Sequence, residues 1–73
     1  EAGDDIASGV TTKAIAYTTA FMGNPAIGIT AQDMATGDFF SISSKTLSGF
    51  NIIFKNSAGT NINRTFDYIA KAF

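Results

Sequence analysis

The chain has 73 residues, a formal net charge of −1 and charged side chains at only 15% of its positions. This balance gives no electrostatic basis for binding nucleic acid or an anionic membrane. The sequence contains neither cysteine nor histidine, which excludes disulfides, the commonest zinc ligands and the histidine-dependent nucleophilic triads. We therefore predict no metal, no cofactor and no nucleic-acid partner.

A domain of this size has a small interior, because chains near 60 residues bury only about 60% of their unfolded surface. Hydrophobic residues nevertheless make up 45% of the sequence, and seven of them are phenylalanines. With no disulfide or metal to stabilise the fold, we expect other copies of the chain to cover part of this apolar surface. No apolar run approaches the roughly 20 residues that span a bilayer, so we expect no membrane insertion.

The first stretch of the chain is acidic and rich in small residues, with Ile6 as its only large apolar residue before Val10. We predict a loop across residues 1–9. In domain terms, residues 1–10 are predicted to be a linker from a longer parent chain, and residues 11–73 the folded β domain.

Two strands are predicted next, on either side of a bend at Pro25. Proline lacks an amide donor and disfavours helical conformation in the residue before it. The segment before the bend, residues 11–21, and the segment after it, residues 26–32, place alternate apolar side chains on one face. These side chains are Ile15, Tyr17, Phe21, Ile27, Ile29 and Ala31.

A turn and a third strand follow. Residues 33–38 combine aspartates with Gly37, which is typical of a turn, and residues 39–45 alternate as a third strand. The fourth and fifth strands are predicted to form a hairpin across residues 49–70, with a loop around Gly59. Their inward side chains are Phe50, Ile52 and Phe54 on one strand and Ile62, Arg64, Phe66, Tyr68 and Ala70 on the other.

Helix signals are nearly absent from the sequence. Five short strands joined by loops of about three to six residues are typical of a β-sandwich or an open barrel. We predict an all-β fold, a small antiparallel β-sandwich of about five to six strands.

Catalysis is the weaker of two classes of function that the polar residues suggest. Asp33, Asp38 and Asp67 supply carboxylates of the kind that glycosidases use in pairs. However, two aspartates around a turn glycine are ordinary turn chemistry, and a sandwich of this size has little room for a cleft. We predict that the protein is not an enzyme.

Binding is the stronger class. Asp38, Arg64, Asp67 and Tyr68 are polar or amphipathic groups that hold sugars in other proteins, and Phe39 or Tyr17 offers an aromatic stacking face. Structural roles compete with this interpretation. Arg64 and Asp67 would form an ion pair or bond to backbone groups, the Tyr68 ring would pack, and Phe39 would belong to the core or an interface.

Several short motifs occur in a characteristic order along the chain. These are Tyr17 and Phe21, Pro25-Ala26-Ile27-Gly28-Ile29, Gly37-Asp38, Lys45-Thr46, Gly49-Phe50-Asn51-Ile52 and Arg64-Thr65-Phe66-Asp67-Tyr68-Ile69-Ala70-Lys71. Their order resembles the C-terminal domains of tailed-phage tail fibres and host-specificity proteins, and is similar to H-type lectin-like β-sandwiches. The resemblance covers roughly residues 12–71. Two features depart from it: the chain has no histidine to match the sugar-contacting histidine of some H-type lectins, and it ends in Ala72-Phe73 where many phage relatives end in a Gly-Tyr tail.

The resemblance implies a homotrimer at the tip of a fibre, attached to the rest of the tail fibre and contacting a bacterial surface receptor. A polysaccharide is one candidate receptor. The expected location is the virion, assembled in the cytoplasm of the bacterial host. Asp33, Asp38, Phe39, Arg64, Asp67 and Tyr68 are the candidate receptor-binding residues, and the loops 33–38 and 57–61 are expected to carry recognition.

Two alternatives remain open at the level of the sequence. In the first, the domain acts only as a structural cap that holds the fibre trimer together. In the second, it is a carbohydrate-binding module of a cell-wall enzyme.

Overall fold

The computed structural model describes residues 1–72, which form seven strands in two antiparallel sheets. Sheet A contains β1 (Ala2–Ala7), β7 (Thr65–Lys71) and β3 (Ala26–Ala31), with β7 in the centre. Sheet B contains β2 (Lys13–Ala16), β5 (Gly49–Lys55) and β4 (Phe39–Ser43), with β5 in the centre. The short strand β6 (Asn61–Ile62) pairs with the end of β5. The predicted all-β fold is therefore confirmed.

The core lies between the two central strands. Phe50, Ile52 and Phe54 of β5 are almost fully buried, as the alternation of the sequence predicts. Across the interior, the Phe66 ring packs 5.5 Å from the Phe54 ring, and the Tyr68 ring packs edge-on at 5.5 Å from Phe50. Contacts between aromatic rings thus join the two sheets.

The predicted hairpin between residues 49 and 70 is wrong in its partner strands. Its turn exists, with the Asn56 amide donating to the Thr60 carbonyl at 2.9 Å, but of the segment that follows the turn only the short β6 pairs with β5. The chain then crosses to sheet A, where β7 pairs with β1 and β3. A continuous strand would have placed Arg64 on the buried face. Its amide instead donates to the Ser8 hydroxyl at 2.9 Å, and β7 begins one residue later in the other sheet.

The prediction of a loop over residues 1–9 is also wrong, because Ala2–Ala7 form β1 against β7. The pairing register shifts between Gly3 and Ile6, and Asp5 adopts a φ of 52°. The bulge leaves Gly3 and Ile6 as the inward-facing residues, three positions apart, and so removes the two-residue period that identifies a strand. The folded unit therefore begins within the stretch assigned to the linker.

Two predicted strands are shorter than expected. Residues 11–21 contain only β2, and the Tyr17 and Phe21 amides donate to the Ser48 and Leu47 carbonyls outside the regular ladder, at 2.9 and 2.8 Å. Strand β4 ends at Ser43 because Ser44 adopts a φ of 52°, which a strand does not accommodate.

The sandwich is open along one side, between the edge strands β3 and β4. Ile27 of β3 and Ile42 of β4 line a cavity of about 310 Å³ there, together with Lys45. We call this region the open side. No segment of residues 1–72 forms a helix with the length and hydropathy needed to cross a membrane.

Candidate functional site

Two loops meet at one end of the sandwich. One joins β3 to β4 across residues 32–38, and the other follows β5 across residues 56–60. Gly37 adopts a φ of 86°, and a Cβ added to it would lie 2.8 Å from the Cβ of Ser57. The loops are therefore in contact, and we call their joint surface the tip. Its residues Thr36, Ser57, Ala58 and Thr60 are exposed.

Asp38 and Arg64 support the tip from below. The Asp38 Oδ2 atom accepts hydrogen bonds from the Ala35 amide at 2.7 Å and from Arg64 Nε and Nη2 at 3.0 and 2.8 Å. The Ala35 amide, followed by the Arg64 guanidinium, lowers the pKa of the Asp38 carboxyl below its usual 3.8. These two candidate residues are thus brought together, and they hold each other in place.

The other two candidate aspartates, Asp33 and Asp67, accept hydrogen bonds from backbone amides. Asp33 Oδ1 accepts from the Thr65 amide at 2.9 Å, which ties the β3–β4 loop to the start of β7. Asp67 Oδ1 accepts from the Asp5 amide at 2.9 Å and from Gln32 Nε2 at 2.8 Å. The prediction of an ion pair between Arg64 and Asp67 is therefore wrong, since Arg64 pairs with Asp38. The alternative, in which Asp67 bonds to a backbone group, is confirmed.

Tyr68 lies away from the tip in the core, with its side chain 7% exposed. Its hydroxyl donates to Glu1 Oε2 at 2.9 Å. Burial, followed by the Glu1 carboxylate, raises the pKa of the Tyr68 hydroxyl to about 12. The structure therefore separates Tyr68 from the other candidate residues, and its ring packs as the structural interpretation predicts.

Phe39 is the most exposed aromatic side chain among the candidate residues, at 47%. It directly follows the β3–β4 loop and pairs across the sheet with Lys55, which directly precedes the second tip loop. Lys55 was not a candidate in the sequence, because its position opposite Phe39 depends on the strand register. The pair places an aromatic ring and an ammonium group beside the tip.

The tip and the neighbouring strand ends therefore offer a surface for binding. Hydroxyl groups are exposed at the top, two carboxylates and a guanidinium fix the β3–β4 loop below, and Phe39 with Lys55 borders one side. Residues 1–72 contain no cluster of three or more His, Cys, Asp or Glu side chains arranged to hold a metal ion. The exposed hydroxyl groups and the neighbouring Phe39 ring suit recognition by hydrogen bonds and ring contacts.

Comparison with known proteins finds no protein-family model that matches the sequence, and no curated protein or solved structure that is similar to it. The fold defines the chain as a small antiparallel β-sandwich domain. Its resemblance to tail-fibre domains stays a prediction.

Proposed function

We propose that this chain is the C-terminal domain of a virion tail fibre or tail tip, and that it binds a receptor on the bacterial surface. The observation that carries the proposal is the contact between the two tip loops, because it joins two exposed segments into one surface. Loops held on a rigid β scaffold are the usual carriers of recognition.

The tip is held firmly enough to serve this role. The β3–β4 loop is fixed by Asp33 to β7 and by Asp38 to Arg64, and the second loop is fixed internally by Asn56, whose Oδ1 accepts from the Ala58 and Thr60 amides at 3.0 Å. A surface that is already ordered loses little conformational entropy on binding. The remaining exposed groups are free to contact a receptor.

The open side supports association into a homotrimer, the oligomer that the tail-fibre resemblance implies. Its edge strands β3 and β4 contain no charged residue and no proline, the usual devices that keep a free edge unpaired. Phe40 on β4 is 40% exposed beside the cavity-lining Ile42. Three copies packed through this side would present three tips, and valency would multiply weak contacts with the receptor.

A structural cap is the second candidate function. The observation in its favour is the number of large apolar side chains that lie away from the tip yet remain exposed. Met22, Leu47 and Ile69 are 102%, 41% and 59% exposed. If contacts with neighbouring chains of the fibre cover these residues, the domain holds the fibre trimer together and another part of the virion binds the receptor.

Binding of the fluorescently labelled chain to a panel of bacterial strains tests the proposal. Ala58→Glu places a longer, negatively charged side chain on the tip, whereas Ala20→Glu makes the same change at an exposed position between β2 and β3, at the other end of the sandwich. We expect the wild-type chain and Ala20→Glu to bind the same strains and Ala58→Glu to bind none. Binding that survives Ala58→Glu would contradict recognition through the tip, and a wild-type chain that binds no strain would favour the cap.

A further inference from the structure

The outer face of sheet B carries a continuous set of side chains next to the tip. The register of β4 and β5 pairs Phe39 with Lys55, then Ser41 with Ile53, then Ser43 with Asn51. Residues opposite each other in an antiparallel sheet share a face. The other face of β5 holds the buried Phe50, Ile52 and Phe54, so these three pairs point away from the core.

The charges of the domain are divided between its two sheets. The strands of sheet A contain Asp4, Asp5 and Asp67 against a single Lys71, whereas the strands of sheet B contain two lysines and no acidic residue. Of these two lysines, Lys13 pairs with the buried Ile52 and so belongs to the inner face, which leaves Lys55 as the charged residue of the outer face. Within the described residues the one ion pair joins Arg64 and Asp38, so the Lys55 ammonium has no carboxylate partner there. The protein is acidic overall, yet this face is suited to an anion.

We propose that the outer face of sheet B binds an acidic polysaccharide, with Phe39 and Lys55 as its main contacts. A sugar ring packs its apolar face on Phe39, a carboxylate of the polysaccharide pairs with Lys55, and Asn51, Ser41 and Ser43 bond to sugar hydroxyls. This inference rests on the proposed function, for which it names the chemical class of the receptor. It also extends the binding surface from the tip loops onto the adjoining strands.

The composition of the face favours a polysaccharide over other anionic polymers. A nucleic acid is held by several cations that follow its backbone, whereas Lys55 is the only charged residue among the six that the β4–β5 register places on this face. An acidic peptide that adds a strand uses the free edge of a sheet and not its face. A row of hydroxyl and amide groups beside an aromatic ring matches the hydroxyl-rich, partly apolar surface of a sugar.

Calorimetric titration of the chain with defined polymers tests the inference. The acidic probes are alginate, polygalacturonate, hyaluronate and polysialic acid, and the neutral probes are dextran and fully methyl-esterified polygalacturonate. Poly-glutamate and single-stranded oligo-dT represent the other anionic polymers. We expect at least one acidic polysaccharide to bind, and the neutral, peptide and nucleic-acid probes to give no heat of binding.

Substitutions then locate the site. Phe39→Ala and Lys55→Gln are each expected to weaken binding about tenfold. Lys71→Gln removes the same charge from the outer face of sheet A, and we expect it to leave the affinity unchanged. Amide chemical-shift changes on titration should concentrate in β4 and β5. These shifts also report whether each variant remains folded.

Three results would overturn the inference: no acidic polysaccharide binds, poly-glutamate or oligo-dT binds as well as any of them, or Lys71→Gln weakens binding as much as Lys55→Gln. The same variants in the bacterial binding assay separate this inference from the proposed function. If the chain binds bacteria and Phe39→Ala and Lys55→Gln bind equally well, the receptor-binding function stands and the polysaccharide site is wrong. If the wild-type chain binds no strain, the proposed function itself fails.

Discussion

Arg64 and Asp38 join the two sheets of the domain at the tip. Arg64 lies between β6 of sheet B and β7 of sheet A, and its Nη2 is 2.8 Å from the carboxylate of Asp38, which directly precedes β4. The Asp38 side chain is only 3% exposed. The nearly enclosed Asp38 carboxylate accepts three hydrogen bonds. It thereby fixes both Arg64, where the chain crosses between the sheets, and the β3–β4 loop, which forms half of the tip.

Asp38→Asn is expected to lower the thermal midpoint by several degrees, because an amide oxygen bonds more weakly to the Ala35 amide and the Arg64 guanidinium. Since folding lowers the Asp38 pKa below 3.8, its contribution is present above that pH and is lost as the pH falls toward the folded-state value. The variant should therefore lose less stability than the wild type on acidification. Thermal melts between pH 7 and pH 2 measure both effects.

Asp4→Asn is the matched control for this prediction, because Asp4 is exposed and loses the same charge. Its melting temperature and acid dependence should stay close to those of the wild type. If the two variants behave alike, the Asp38 contacts do not contribute to stability.

Phe66→Ala and Phe50→Ala are expected to destabilise the domain by about 3–5 kcal/mol each. Both rings are at most 2% exposed and pack between the sheets, whereas Phe39 is 47% exposed. Phe39→Ala should therefore cost less than about 1 kcal/mol. Urea unfolding of the three variants measures these free energies, and equal losses at all three positions would remove the assignment of the core.

Loss of the hydroxyl should change the unfolding free energy differently at the two buried tyrosines. The Tyr68 hydroxyl donates to Glu1, so Tyr68→Phe should cost about 1 kcal/mol. The Tyr17 hydroxyl is enclosed and has no hydrogen-bond partner among the described residues, so Tyr17→Phe should be neutral or stabilising. Equal losses of unfolding free energy in the two variants would contradict the assigned hydrogen bond.

Alkaline pH gives a second measurement on Tyr68. Its pKa is about 12 in the folded chain against an ordinary 10.0, so the folded state holds the proton more tightly than the unfolded state. The resulting stability is complete below pH 10 and is lost as the pH rises to 12. Melts across this range should show a steeper loss in the wild type than in Tyr68→Phe.

Contact between the tip loops can be tested at their glycines. Gly37 and Gly59 both have positive φ, at 86° and 81°, but only Gly37 would place a Cβ against Ser57. Gly59→Ala should cost about 1 kcal/mol and Gly37→Ala about 2 kcal/mol or more. Adding Ser57→Gly to Gly37→Ala should recover the difference in unfolding free energy. No recovery would show that the loops do not press on each other there.

Much of the fold could be predicted from the sequence where a regular period coincides with a buried face. The inward residues of β3, β5 and β7 recur with a two-residue period, and the structure buries them fully in β5 and β7 and partly in β3. The loop around Gly59 was found because positive φ favours glycine. These signals are local, and they identify which face of a strand is buried.

The pairing of strands that are distant in the sequence could not be predicted from these local signals. Alternation alone does not say whether β7 pairs with β5 or lies opposite it, and the bulge at Asp5 hides β1 from any test of periodicity. The partners of Asp38 and Lys55 depend on the same long-range register. The structure therefore brings only some of the candidate residues together: Asp33, Asp38, Phe39 and Arg64 border the tip. Asp67 bonds to Asp5 and Gln32 beside sheet A, and Tyr68 belongs to the core.

Light scattering of the purified chain across a dilution series comes first among these experiments, because the proposed fibre-tip role requires the chain to associate with copies of itself. We expect a mass three times that of the 7.7 kDa chain, which persists on dilution. A folded monomer at every concentration would contradict it, since the open side between β3 and β4 would then stay uncovered.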